Sequence, residues 1–261
     1  MIRSLPFDAR ADYYYYYAEM RGCKSPAVFG GAAFSPLSLF PRLLPDPSDL
    51  STLFQERTGA SATTPSEVDG VVGTMLDKSG NGNHMVAPSD GARPILRNSG
   101  SLYWLEFDGT DDFLRVAFAL DQPYERVMAF RQITWTSGDR LWDGATGNSG
   151  GIFQDTSSAN LAAFAGSQVN LSNEALDTDQ VLTERWNGAS SRFAIDNNSY
   201  VEGDIGAADP EGLIIGAFGD QGSSFCNIRF YGGAVFAGAD LTDANIADLR
   251  TYFAAKQGRV L

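Results

Sequence analysis

Asp77, Ser79, Asn81 and Asn83 place oxygen-bearing side chains at alternate positions around Gly80 and Gly82. Hard cations such as Ca2+ take several oxygen ligands, and alternating Asp, Ser and Asn around a glycine turn is how calcium loops begin. The helix–loop–helix form of such a loop ends on a bidentate Glu at its twelfth position. That position is Pro88 here, which excludes it. A looser calcium site needs a further carboxylate, and Asp108, Asp111 or Asp112 would complete it. The same residues also favour Asx turns, in which side-chain oxygens accept hydrogen bonds from their own backbone. Both readings stand at this stage.

A second set lies between Thr134 and Asn148: Trp135, Asp139, Arg140, Trp142 and Asp143. Flat rings mixed with bidentate polar groups are what a carbohydrate cleft presents, rings for stacking and forked groups for hydroxyls. The competing expectation for each tryptophan is a place in the core.

The remaining catalytic inventory is short. His84 is the single histidine, so a multi-histidine metal site is excluded. A Ser-His-Asp or Cys-His arrangement would have to use His84, which sits in a Gly/Asn-rich loop and is read as a loop or core residue. No H-E-x-x-H and no G-x-x-x-x-G-K-[ST] occurs. Cys23 and Cys226 are too few for a disulfide framework or a zinc knuckle, and are read as buried free thiols.

Acidic residues outnumber basic ones 32 to 19, a formal charge of −13. Such a chain repels phosphate backbones and anionic lipid, so neither nucleic acid nor a membrane is expected as a partner. No apolar run reaches a membrane span. The start, Met1 to Pro6, lacks the features of a signal peptide, so a protein folded in the cytosol is expected, carried out by something else if it works outside a cell.

These side chains must be positioned by short strands. Leu102–Phe107 runs into an Asp108-Gly109 turn and then Phe113–Val116. Gln180–Trp186 runs into Asn187-Gly188, then Ser191–Ile195 and a turn at Asp196-Asn197-Asn198. Such turns supply positive φ and predict hairpins. Gly212–Phe218 and Asn227–Phe236 are further strands. In the last, alternation puts Ile228, Phe230, Ala234 and Phe236 on one face, with Asn227, Arg229 and Tyr231 on the other. One helix is predicted, with Thr242 as N-cap, Ile246, Leu249 and Phe253 at helical spacing and Gly258 as stop. The fold class is all-β: an antiparallel jelly-roll β-sandwich over 46–261, with a short C-terminal helix and an extended N-terminal arm over 1–45. The arm carries the run Tyr13, Tyr14, Tyr15, Tyr16 and Tyr17, whose area and polar tips suit an assembly interface or packing on the chain's own domain.

The segment Leu76–His84, the segment Leu105–Phe113 and the closing helix Ala239–Leu249 together resemble the concanavalin A-like lectin/glucanase superfamily, in its laminin-G-like branch. The lead-in Pro47–Gln55 resembles versions found in structural proteins of tailed phages, prophages and gene-transfer-agent particles. The resemblance implies a non-enzymatic virion protein, a head spike, decoration or tail fibre. It would be displayed on the particle surface, bind host-surface polysaccharide through the sandwich, and contact other virion proteins in a homo- or hetero-oligomer through the arm. A purely structural tail or capsid protein and a surface-glycan depolymerase are the alternatives. Retaining glucanases of this superfamily carry Glu-x-Asp-x-x-Glu, which Glu106-x-Asp108-x-x-Asp111 matches in part. Ca2+ in the Asp77 loop is the one cofactor expected.

Overall fold

The computed structural model describes residues 34–219 and 223–261. Tyr13–Tyr17 and Cys23 lie outside the described residues. In chain order the strands are β1 (Leu53–Phe54), β2 (Thr74–Met75), β3 (Met85–Val86), β4 (Ile95–Ser99), β5 (Leu102–Asp108), β6 (Leu114–Ala117), β7 (Tyr124–Gln132) and β8 (Arg140–Asp143). They continue as β9 (Gly151–Gln154), β10 (Leu161–Phe164), β11 (Gln168–Asn170), β12 (Asp179–Trp186), β13 (Ser191–Ile195), β14 (Val201–Gly203), β15 (Gly212–Ile215) and β16 (Asn227–Ala237), followed by helix α1 (Asp243–Ala255).

The strands form two sheets. One has nine, in the order β1-β2-β3-β6-β15-β8-β9-β10-β11, and the other seven, β14-β13-β12-β7-β16-β5-β4. Every ladder between these strands is antiparallel. The all-β sandwich with a C-terminal helix is the fold that alternation and turn chemistry predict. Leu105, Phe107, Met128, Phe130, Leu182 and Trp186 from the smaller sheet meet Leu114, Trp142, Ile152 and Ile215 from the larger, all buried in one core. Alternate residues of β7, such as Glu125 and Arg131, point to the opposite face, as period two demands.

That outer face carries α1. Thr242 Oγ1 accepts from Asn245 N (3.2 Å), and Asn245 Oδ1 accepts from Thr242 N (3.0 Å), which closes a capping box. Ile246, Leu249 and Phe253 are buried, as predicted, and Arg250 Nε donates to Thr183 Oγ1 on β12 (2.8 Å).

Four expectations are corrected by the fold. The Asp108-Gly109 turn does not make a hairpin, because β5 and β6 belong to different sheets. Gly109 has the expected positive φ of 75°, but the chain runs on through Asp112, whose carboxylate accepts from Asp108 N (3.1 Å), and crosses between layers. In β16 the pairing register shifts between Phe230 and Gly232, with Gly232 at φ 138°. The extra residue flips the remainder of the strand, so Val235 joins the inter-sheet core while Ala234 and Phe236 take the helix-bearing face. The strand from Gly212 stops at Ile215 rather than Phe218. Finally, the compact sandwich unit is Ser35–Leu261, so the arm does not extend to residue 45. Leu43 and Leu44 are buried, Arg42 N donates to Val235 O (2.7 Å) and Gly233 N to Pro45 O (3.1 Å), which stitches this segment onto β16.

Candidate functional site

The stretch after β7 is fixed by one glutamine. Gln154 Nε2 donates to Gln132 Oε1 (3.0 Å) and to Thr134 O (2.6 Å), and Gln154 Oε1 accepts from Thr136 N (2.8 Å). The chain then enters β8, where a shift in the pairing register between Arg140 and Trp142 sends the predicted sugar-binding residues to different faces. Trp142 turns inward and is fully buried, with Nε1 on Glu184 Oε1 (3.0 Å) and its ring edge-on to Phe130 at 5.3 Å. It offers no ring to a ligand, which corrects its assignment to a cleft. Asp143 is also fully buried. Its carboxylate accepts from the backbone N–H groups of Gly144 (2.8 Å), Asn148 (3.0 Å), Ser149 (3.4 Å) and Gly219 (3.3 Å), so it organises the loop rather than meeting a sugar.

Arg140 remains on the outer face of the nine-stranded sheet. Its guanidinium carbon lies 4.3 Å from the ring centroid of Phe153 and 5.2 Å from that of Phe218, and Nη2 donates to Asn148 Oδ1 (3.0 Å). Nη1 is buried with no hydrogen-bond partner among the described residues. Burial depresses the Arg140 pKa, and the Asp143 charge opposes that shift. Trp135 is half-buried and its Nε1 likewise lacks a partner. Asp139 is half-buried, and desolvation raises its carboxyl against a hydrogen bond with Thr136. Phe153, Phe218 and Asn148 were not among the sequence candidates. Phe153 carries no signal of its own, because only the pairing of β9 shows which face it takes.

The Asp77 loop is built from its own bonds. Asp77 accepts from Leu44 N (3.0 Å), Ser79 N (2.8 Å), Ser79 Oγ (2.6 Å) and Asn83 N (3.1 Å). Asn81 Nδ2 donates to Pro41 O (2.9 Å) and Asn83 Nδ2 to Arg42 O (2.7 Å). His84 Nδ1 accepts from Asp77 N (3.1 Å). This is the Asx-turn arrangement, clamping the segment 41–44.

Asp108, Asp111 and Asp112 are brought together at the end of β5, with one oxygen from each within 4.8 Å of the others, a span that one cation would bridge. Asp112 is buried, and its carboxyl is pushed up to about 7 by desolvation and then by the Asp108 and Asp111 charges. Glu106 is held apart on the outer face of the smaller sheet, paired with Arg97 (3.1 Å) and Arg229 (3.5 Å). Gly147-Asn148-Ser149-Gly150-Gly151 has the spacing of a nucleophile elbow, which needs a strand–turn–helix. Here it joins two strands, Ser149 is buried against Thr146 Oγ1 (2.9 Å), and His84 is engaged elsewhere.

Among the described residues no helix is long and apolar enough to cross a membrane. No known protein family and no curated protein matches the chain by sequence. Solved structures do match by shape. Domain 4 of AbnA, an extracellular arabinanase of Geobacillus stearothermophilus solved with arabinotriose, aligns with a TM-score of 0.52 at 12% identity, over 67% of this chain and 91% of that one. A family 54 α-L-arabinofuranosidase aligns with a TM-score of 0.62 at 12% identity, over 85% of this chain and 65% of that one. Trypanosoma rangeli sialidase aligns with a TM-score of 0.53 at 10% identity, and there the chain spans only 37% of its relative. The expectation of a non-enzymatic virion protein is corrected by these neighbours, which are carbohydrate-active enzymes or their domains, and the phage terms find no support in them. At such identities the likeness establishes a β-sandwich fold shared with carbohydrate-active proteins.

Proposed function

We propose that this chain acts in glycan processing and binds carbohydrate over the outer face of its nine-stranded sheet. The observation that carries this reading is Arg140 held between the rings of Phe153 and Phe218, with the exposed Asn148 beside it. Rings give a sugar its stacking surface, and a fixed guanidinium with a neighbouring amide gives its hydroxyls directed partners. The AbnA domain, solved with arabinotriose, supports the same class of ligand. The resemblance to concanavalin A-like domains in Leu76–His84 and Leu105–Phe113 accords with it. Titration with arabinotriose, followed by tryptophan fluorescence or calorimetry, tests the reading. Arg140→Ala is expected to weaken binding at least about tenfold, the loss of one charged hydrogen bond with its stacking. Unchanged binding in that variant would overturn this face as the site.

Hydrolysis is the second reading, favoured by Asp112. Retaining glycosidases use two carboxyl groups roughly 5 Å apart with pKa values driven apart, one protonated as acid and one ionised as nucleophile. Asp112, pushed up to about 7, has a carboxylate oxygen of Asp108 and of Asp111 within 4.8 Å, close to that spacing. Release of 4-nitrophenol from aryl glycosides, lost in Asp112→Asn and in Asp108→Asn, is the expected result of this reading. Turnover that survives both substitutions would exclude it.

A further inference from the structure

A cleft of about 390 Å3 opens far along the sequence from Arg140, between the chain after β1 and the loop that follows β3. All seven residues that line it carry polar side chains, with no aromatic ring and no aliphatic one, so it is no apolar-ligand pocket. Its walls are fixed to main chain. Arg57 Nη1 donates to Pro88 O (2.7 Å) and Nε to Asp90 Oδ1 (2.9 Å). Arg93 Nη1 donates to Gln55 O (3.1 Å) and Nε to Asp90 O (2.9 Å). Thr74 Oγ1 donates to Glu56 O (2.7 Å), and the backbone of Gln55 and Glu56 lies so close to Gly73 that only glycine fits there.

What remains unengaged is specific. Nη2 of Arg57 and Nη2 of Arg93 have no hydrogen bond among the described residues. The Asp90 side chain is 75% exposed, and its Oδ2 has no hydrogen bond among the described residues. Glu56 is largely engaged, with Thr64 N and Oγ1 and Thr63 Oγ1 all donating to Oε1 and Thr64 N also to Oε2; the Thr64 hydroxyl leads in holding its carboxyl at about 2. Two arginines face two carboxylates, so the cleft is electrically neutral inside a chain of charge −13. An anionic ligand therefore gains no net attraction there. A neutral group that both accepts and donates, such as adjacent hydroxyls on a sugar ring, matches the free donors and the free acceptor.

We propose that this cleft is a second carbohydrate subsite, selective for an uncharged sugar whose vicinal hydroxyls accept from Arg57 and Arg93 and donate to Asp90. It rests on the reading of the chain as glycan-binding. Because the groups are already immobilised, little side-chain freedom is lost on binding.

Calorimetric titration of the full chain with arabinotriose and maltotriose, with trigalacturonate as the charged comparator, tests it. A neutral trisaccharide is expected to bind, and Asp90→Asn and Arg57→Gln are each expected to weaken it about tenfold. Melting temperatures should stay near that of the parent, since the Arg57–Asp90 pair is a surface one. Unchanged affinity in both variants would overturn the subsite, as would trigalacturonate binding more tightly than the neutral sugars. If Arg140→Ala removes all binding while Arg57→Gln changes nothing, this subsite fails and the reading of the chain as glycan-binding stands. If no saccharide binds at all, both fall together.

Discussion

Arg126 and Glu184 lie directly opposite each other on β7 and β12, fully buried between the sheets, with Arg126 Nε 2.8 Å from Glu184 Oε2. Glu184 also accepts from Trp142 Nε1 (3.0 Å) across the sandwich and from Trp186 Nε1 (2.8 Å). The guanidinium is 4.9 Å from the Trp186 ring and donates through Nη2 to Gly150 O (2.7 Å). One carboxylate thus joins both sheets and both tryptophans.

A buried charge pair gains little over apolar packing, but removing one member leaves the other unpaired. Glu184→Ala is therefore expected to cost about 3–5 kcal/mol in urea unfolding. The double substitution Arg126→Met with Glu184→Met should cost less than the sum of the two single changes. Additive losses would mean that the two residues act separately.

Asp112 gives a pH signature. Its folded carboxyl is pushed up to about 7 from the ordinary aspartate value of 3.8, by burial first. The folded state then binds the proton more tightly than the unfolded chain. The stabilisation is fully present below about 3.8 and is lost as pH rises through about 7. Asp112→Asn should remove this decline and raise stability at pH 8 by roughly 1–4 kcal/mol. Parallel stability–pH curves for the two proteins would contradict the assignment.

The bulge in β16 depends on Gly232. Its φ of 138° suits only glycine, and an added Cβ would lie 3.3 Å from Pro45 O and 3.5 Å from Phe253. Gly232→Ala is expected to destabilise by about 1–3 kcal/mol, read as a lower urea midpoint. Loss of less than half a kcal/mol would show that the strand can re-register around the change, on the order of what surface substitutions do.

Asp77 holds four donors of its own chain, so its loop should be a staple. Asp77→Ala strands the Leu44, Ser79 and Asn83 N–H groups. It is expected to cost about 2–3 kcal/mol, by the same amount with and without added Ca2+. A cost that appears only with Ca2+ present would show that the loop holds the metal.

Local chemistry made much of the fold legible. Thr242 with Asn245, and Ile246, Leu249 and Phe253 at helical spacing, predict α1, because a cap and a 3.6-residue stripe act within one segment. Strand alternation likewise predicts β5, β12 and β13 to within a residue. The oxygen-rich loop at Asp77 was visible, but the backbone groups of Leu44, Pro41 and Arg42 that it binds lie more than thirty residues away and came into view only with the fold.

What the chain's tertiary structure alone decided is which face each residue takes and what meets it there. Trp142 reads like a sugar platform until Glu184, 42 residues away, supplies the acceptor that holds its indole in the core. Phe153 and Phe218 reach Arg140 from separate segments, and Arg57 meets Asp90 across 33 residues. By itself the amino-acid sequence determined the elements, the acidic charge and the shortage of catalytic histidine. Sheet order, the β16 bulge and the grouping of polar residues into sites are long-range pairings, whose energies depend on partners that no local window contains.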